Sequence, residues 1–284
     1  MAKWLLPSFT LLACPAGGKL ENALLPLTPT GLLTMTDLGL RPRKATELVD
    51  AAFQLYRREP LQFIIGFGVV YIPWMVISGA LGFQPSDVDP TLKQTVVSLT
   101  GGLLVYALAS GVSTVLANDI YFNRPTDLAC AFPTIGASFL SLVLTMFVVA
   151  LAVGFGLALL VIPGFYMLAR YFAVRQAVLL EGAAAGAALR RTSELSKGYK
   201  KHIVLTIIIV SLLTFALSMG VGLFLRVIPS LMVRSALSAI FATLIYPLFG
   251  ITETLLYYDI RIRKEGFDIE YLSTAPAETS VVTT

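Results

Sequence analysis

The chain has 284 residues, 56% of them hydrophobic and only 13% charged, with a formal net charge of +4. Soluble domains carry about 25% charged residues, so this balance places the chain outside them and among integral membrane proteins. The small net charge excludes a nucleic-acid footprint and matters only through where it falls beside a membrane.

Residues 1–34 open with Lys3 and a short apolar run, interrupted by Pro7, that ends at Cys14. This outlines a secretory signal or lipoprotein box, but the run is short and a leucine precedes Ala13 where a small residue is usual. Met35 follows a loop containing Pro26 and Pro29, so Met35 is the expected start, or residues 1–34 are a leader.

Residues 35–60 form a cytoplasmic segment. Leu48, Ala51, Ala52, Leu55 and Tyr56 fall at helical spacing and predict an amphipathic helix over 45–58. Two placements fit it: flat on the membrane surface, or packed on the bundle. Pro60 then suits the first turn of the next helix.

A hydrocarbon core needs about 20 apolar residues per helix. Residues 61–260 supply six apolar stretches, the fourth of them shorter: 61–81, 95–117, 138–162, 165–180, 203–225 and 236–258. Asp87 and Asp89 lie in the first loop, and Pro163-Gly164 separates the third stretch from the fourth. The expected fold is all-α: a polytopic membrane helix bundle with six spans and amphipathic interfacial helices on the cytoplasmic side. The third and fourth stretches could instead form a re-entrant hairpin. Fourteen lysines and arginines flank one side of this arrangement, against Lys93, Arg226 and Arg234 on the other. That bias predicts both termini inside a bacterial cytoplasmic membrane.

Small residues recur every four positions in three stretches: Ala150, Gly154 and Ala158; Ala216 and Gly220; Ser235, Ala239 and Thr243. Such stripes let helix backbones approach in lipid, within the bundle or between copies.

The candidate binding residues are charged. Arg170 and Arg175 lie inside the fourth stretch and Glu253 inside the sixth. A charge at membrane depth is costly and turns to the protein interior. Counting turns from each helix end puts Arg175 and Glu253 at similar depth, so they are expected to meet if those helices are neighbours. Arg170 lies deeper with no acid at its level. These three either lock the bundle or hold a substrate or lipid headgroup. Residues 183–198 predict a basic interfacial helix carrying Arg190 and Arg191, with Gly198 placed to end it in a left-handed conformation. Glu265 and Asp268, in the basic segment and polar tail 261–284, are candidate partners for Arg190 or Arg191.

No catalytic set emerges. His202 is the sole histidine, Cys14 and Cys130 stand far apart, and no HExxH motif or phosphate loop is present. The chain is therefore expected to be non-enzymatic and to need no cofactor or metal.

Three stretches together resemble a known family. They are LRPRKATELVDAAFQLYRREP at 40–60, PGFYMLARYFAVRQAVLLEG at 163–182 followed by ALRRTSELSKG at 188–198, and LLYYDIRIRKEGFDIE at 255–270. The set resembles the membrane domain found at the N-terminus of some glycerophosphoryl diester phosphodiesterases and also as stand-alone bacterial membrane proteins. The resemblance implies a multi-helix membrane domain, not phosphodiesterase activity, because the chain has neither the length nor the histidines of the soluble barrel. The expected role is a membrane-embedded interaction or regulatory module, with membrane lipids (anionic ones above all) and a partner membrane protein as its contacts. A carrier or channel for a small anionic solute or lipid headgroup, using Arg170 and Arg175, is the alternative. A membrane enzyme acting on lipid headgroups is a third reading.

Overall fold

The computed structural model describes residues 41–80, 92–122, 124, 126 and 128–267. The leader 1–34, the loop with Asp87 and Asp89, and Asp268 with the tail lie outside them. The described residues are all-helical, with no strand. In chain order the helices are α1 (Ala45–Arg58), α2 (Pro60–Ala80), α3 (Leu92–Tyr121), α4 (Leu128–Ala137), α5 (Phe139–Leu159), α6 (Val161–Arg170), α7 (Val174–Leu179), α8 (Ala185–Leu195), α9 (Lys200–Leu225) and α10 (Leu231–Glu265).

Five of these, α2, α3, α5, α9 and α10, are long and apolar enough to cross a membrane. The stretch 165–180, expected as one span, is not one helix. It divides between α6 and α7 at Tyr171–Ala173, where Tyr171 and Ala173 leave helical geometry at φ −114° and −110°. In an unbroken helix, residues five apart point about 140° away from each other. The break lets Arg170 and Arg175 serve different neighbours.

Pro163-Gly164 does not break the preceding stretch either. The turn comes at Leu160, whose backbone is extended at φ −162° and ψ 145°. Pro163 sits in the first turn of α6, where its missing N–H is harmless. α5 and α6 fold back on each other as a hairpin. Its legs touch where Gly156 meets Gly164: a Cβ on Gly156 would lie 2.8 Å from the Gly164 Cα and N atoms.

α1 packs on α10, α9, α3 and α2. Its apolar face is buried inside the protein, with Leu48 and Leu55 at 1% and 0% exposure. Burying each such leucine stabilises by roughly 2 kcal/mol. Apart from Phe53, which is 37% exposed, its large apolar side chains turn inward, so α1 packs on the bundle. The same holds for α8, whose Ala188, Thr192 and Leu195 are buried.

The small-residue stripes part company. Ala239 and Thr243 are buried on α10, and Thr243 lies 3.6 Å from a Cβ position on Gly68 of α2. On α5, Ala150, Gly154 and Ala158 are exposed, as are Ala216 and Gly220 on α9. Nothing approaches Gly154 or Gly220 within 4 Å of a Cβ position. Those two stripes do not pack inside this chain.

The core concentrates at one end. Leu248, Ile251, Leu255, Leu256, Tyr257, Tyr258, Ile260 and Ile262 of α10 are all buried there. Toward its other end α10 exposes Val233, Ile240, Leu244 and Tyr246. Gly266, at φ 64°, closes α10 by donating to the Ile262 carbonyl, a left-handed cap that suits glycine.

Candidate functional site

The paired charged residues form three knots, two of them at the closely packed end. The first centres on Asp259 of α10. Its buried carboxylate accepts the Arg43 backbone N–H at 2.7 Å and Arg263 Nε at 2.8 Å, and lies 3.0 Å from His202 Nε2. Arg263 also donates to the Arg43 carbonyl at 2.6 Å. One carboxylate thus ties the approach to α1, the first turn of α9 and the last turns of α10. Arg263 follows Asp259 by four, so that pair forms on one helix face.

Arg191 of α8 holds the second knot. Its Nε and Nη2 donate to Glu181 at 3.0–3.1 Å, and its guanidinium also pairs with Glu265 of α10. Tyr257 donates to Glu181 at 2.5 Å, and Arg261 to Glu265 at 3.1 Å. Burial works against the Arg191 charge, but the Glu265 and Glu181 carboxylates overcome it and hold its pKa above the ordinary value. Lys264 donates to the carbonyls of Glu194 and Lys197, closing the C-terminal turn of α8 before Gly198 at φ 90°. Arg190, the neighbour expected to share this role, points outward and pairs with Glu194 of its own helix at 3.6 Å.

The third knot lies further along the helices. Arg175 of α7 pairs with Glu253 of α10, with side chains 3% and 12% exposed. Arg175 Nε donates to Thr114 of α3 at 3.1 Å, and its guanidinium lies 5.9 Å from the Tyr106 ring centre. The next residue, Gln176, is fully buried, and neither amide atom has a hydrogen-bond partner. A buried unpaired amide is costly.

Arg170 does not stand alone at depth. Its Nε donates to Ser193 of α8 at 2.9 Å, and its guanidinium lies 5.4 Å from the Tyr171 ring centre. The structure therefore joins Arg175 to Glu253 and Arg191 to Glu265, and leaves Arg170 and Arg190 in places of their own. Thr114 and Gln176 are central residues that the sequence did not single out. The four-residue spacings of Asp259 with Arg263 and of Arg261 with Glu265 are the local signal for the charged part of this set. Among the described residues, no three of His, Cys, Asp and Glu come together as metal ligands.

No family model matches the chain. No curated protein and no solved structure matches it significantly.

Proposed function

We propose that the chain is a multi-pass, non-enzymatic membrane protein that acts as a membrane-embedded interaction or regulatory module. The observation that carries this reading is the charged end itself. There, acids and bases from α8, α9, α10 and the turn before α8 act as one another's partners, and the backbone just before α1 joins them in a braced layer. Such a layer suits a surface that another protein or the lipid headgroups read, with anionic lipids and a partner membrane protein as its contacts.

The three stretches that resemble the phosphodiesterase membrane domain meet in this layer. Arg43 comes from the first, Arg191 and Glu194 from the second, and Asp259, Lys264 and Glu265 from the third. Their convergence supports membership of that membrane-domain family without its enzyme.

Parity supports an even number of passes, six if α5 crosses and four if α5 and α6 form a re-entrant hairpin. α3 ends and α9 begins at the charged end, where Tyr258 donates to Asn118 and His202 meets Asp259. An even number of passes lies between them, so if α5 crosses, the broken α6–α7 unit returns the chain. The lysine and arginine bias puts the charged end in the bacterial cytoplasm, with both termini inside.

Native mass spectrometry of the chain, extracted gently with its lipid, tests the module. The expected result is a partner protein at fixed stoichiometry that is lost when Arg190 is reversed to glutamate. Hydrolysis of a glycerophosphodiester by the purified chain overturns the non-enzymatic reading.

Gln176 favours a second reading, a carrier or channel for a small anion. Its unpaired amide follows Arg175 directly in the chain. Uptake of labelled inorganic phosphate into proteoliposomes, abolished by Glu253→Gln, is the outcome that reading requires.

A further inference from the structure

The knots described above pair Arg175, Arg191, Arg261 and Arg263 with carboxylates. Two cations are treated differently. Arg170, the last residue of α6, donates to the Ser193 hydroxyl and stacks by Tyr171. Lys200, the first residue of α9, sits 3.8 Å above the centre of the Tyr166 ring. Among the described residues neither pairs with a carboxylate. Tyr166 and Arg170 are one helical turn apart, so both cations meet on one face of α6.

Three further features converge there. Arg170 uses Nε on Ser193, which fixes its plane and leaves both Nη groups to donate. α9 starts without a side-chain cap, so the N–H groups of its first turn and its positive dipole end lie beside Lys200. One turn before Tyr166 on the same α6 face is Ile162, 82% exposed, while Tyr166 itself is 45% exposed. α9 turns apolar from Ile203 onward. A cationic head thus joins an exposed apolar wall at the level where a membrane helix leaves its charged flank.

We infer that Tyr166, Arg170, Ser193 and Lys200 form a binding site for the phosphate of an anionic phospholipid, whose acyl chains run along α6 past Ile162. The Arg170 Nη groups and Lys200 hold the two non-bridging phosphate oxygens. This site is distinct from Arg175, whose charge Glu253 already neutralises. The inference rests on the membrane reading above and is independent of the module reading.

The test uses the full chain in neutral detergent, with native mass spectrometry of retained dioleoylphosphatidylglycerol against dioleoylphosphatidylcholine. The wild type is expected to prefer phosphatidylglycerol. Arg170→Gln with Lys200→Gln should lower its retention about thirtyfold, as loss of two interfacial cations implies, and either single change about fivefold. Arg58→Gln, exposed at the end of α1 and outside the site, should change it less than about twofold. Retention by the double variant within about twofold of wild type overturns the site. Displacement of the lipid by excess inorganic phosphate assigns the site to a soluble anion and overturns the lipid. Should the double variant not fold, Lys200→Gln alone decides, because that side chain braces only the Tyr166 ring. A wild-type chain that stays dispersed without detergent and takes up neither lipid refutes the membrane reading itself.

Discussion

Asp259 accepts the backbone N–H of Arg43 at 2.7 Å, joining positions 216 residues apart. The bond fastens the chain before α1 to the last turns of α10. α1 therefore docks through a buried carboxylate as well as through its leucines. Asp259→Asn keeps the shape but removes the charge that Arg263 and His202 share. It is expected to destabilise the chain by roughly 3 kcal/mol, the scale for breaking a buried charged network. Hydrogen exchange should rise first in 45–58, and unchanged protection there would show that the bond does not hold α1.

Arg175 and Glu253 should behave as a buried pair. Arg175→Ala or Glu253→Ala alone leaves an uncompensated charge and should cost about 3–5 kcal/mol. Replacing both, Arg175→Met with Glu253→Leu, should recover most of that. Thermal unfolding in detergent measures the cycle, and additive losses would mean that the two side chains do not interact.

Two glycines on α5 should respond in opposite ways. Gly156→Val drives a side chain into the backbone of Gly164 and should destabilise the hairpin by about 1–3 kcal/mol. Gly154→Ala points into open space and should stay within about 0.5 kcal/mol of wild type. Equal effects on the unfolding temperature would refute the observed α5–α6 contact.

Arg191→Lys keeps a cation but loses the planar fork that spans Glu181 and Glu265. It should loosen α8 by about 1–3 kcal/mol. Faster proteolysis between α7 and α9 is the expected readout, and wild-type resistance would show that a point charge suffices there.

Single cysteines test the topology in a background that lacks Cys14 and Cys130. An impermeant maleimide on intact cells should label Val227→Cys and reach Lys197→Cys only after lysis. Labelling of both from one side would break the proposed arrangement.

Much of this was legible in the sequence. The helix 45–58 coincides with α1 because a 3.6-residue apolar period leaves little choice of register. Depth put Arg175 and Glu253 at one level, and the structure supplied the remaining condition, that their helices are neighbours. The break at Tyr171–Ala173 was hidden because hydropathy sums over a window and does not register a change of helix direction. The Ser193 partner of Arg170 was hidden for the same reason, because it comes from α8 and not from along a straight helix.

Composition and periodicity alone determined that the described residues are helical and that long apolar segments dominate the chain. These are properties of each segment by itself, set by its own side chains and by solvent. Tertiary structure decided which cation meets which acid, whether α1 faces lipid or protein, and which small-residue stripes are filled. Those outcomes depend on which helices become neighbours. Single contacts between residues far apart in the chain, such as Asp259 with Arg43, set that arrangement and leave no local pattern to read.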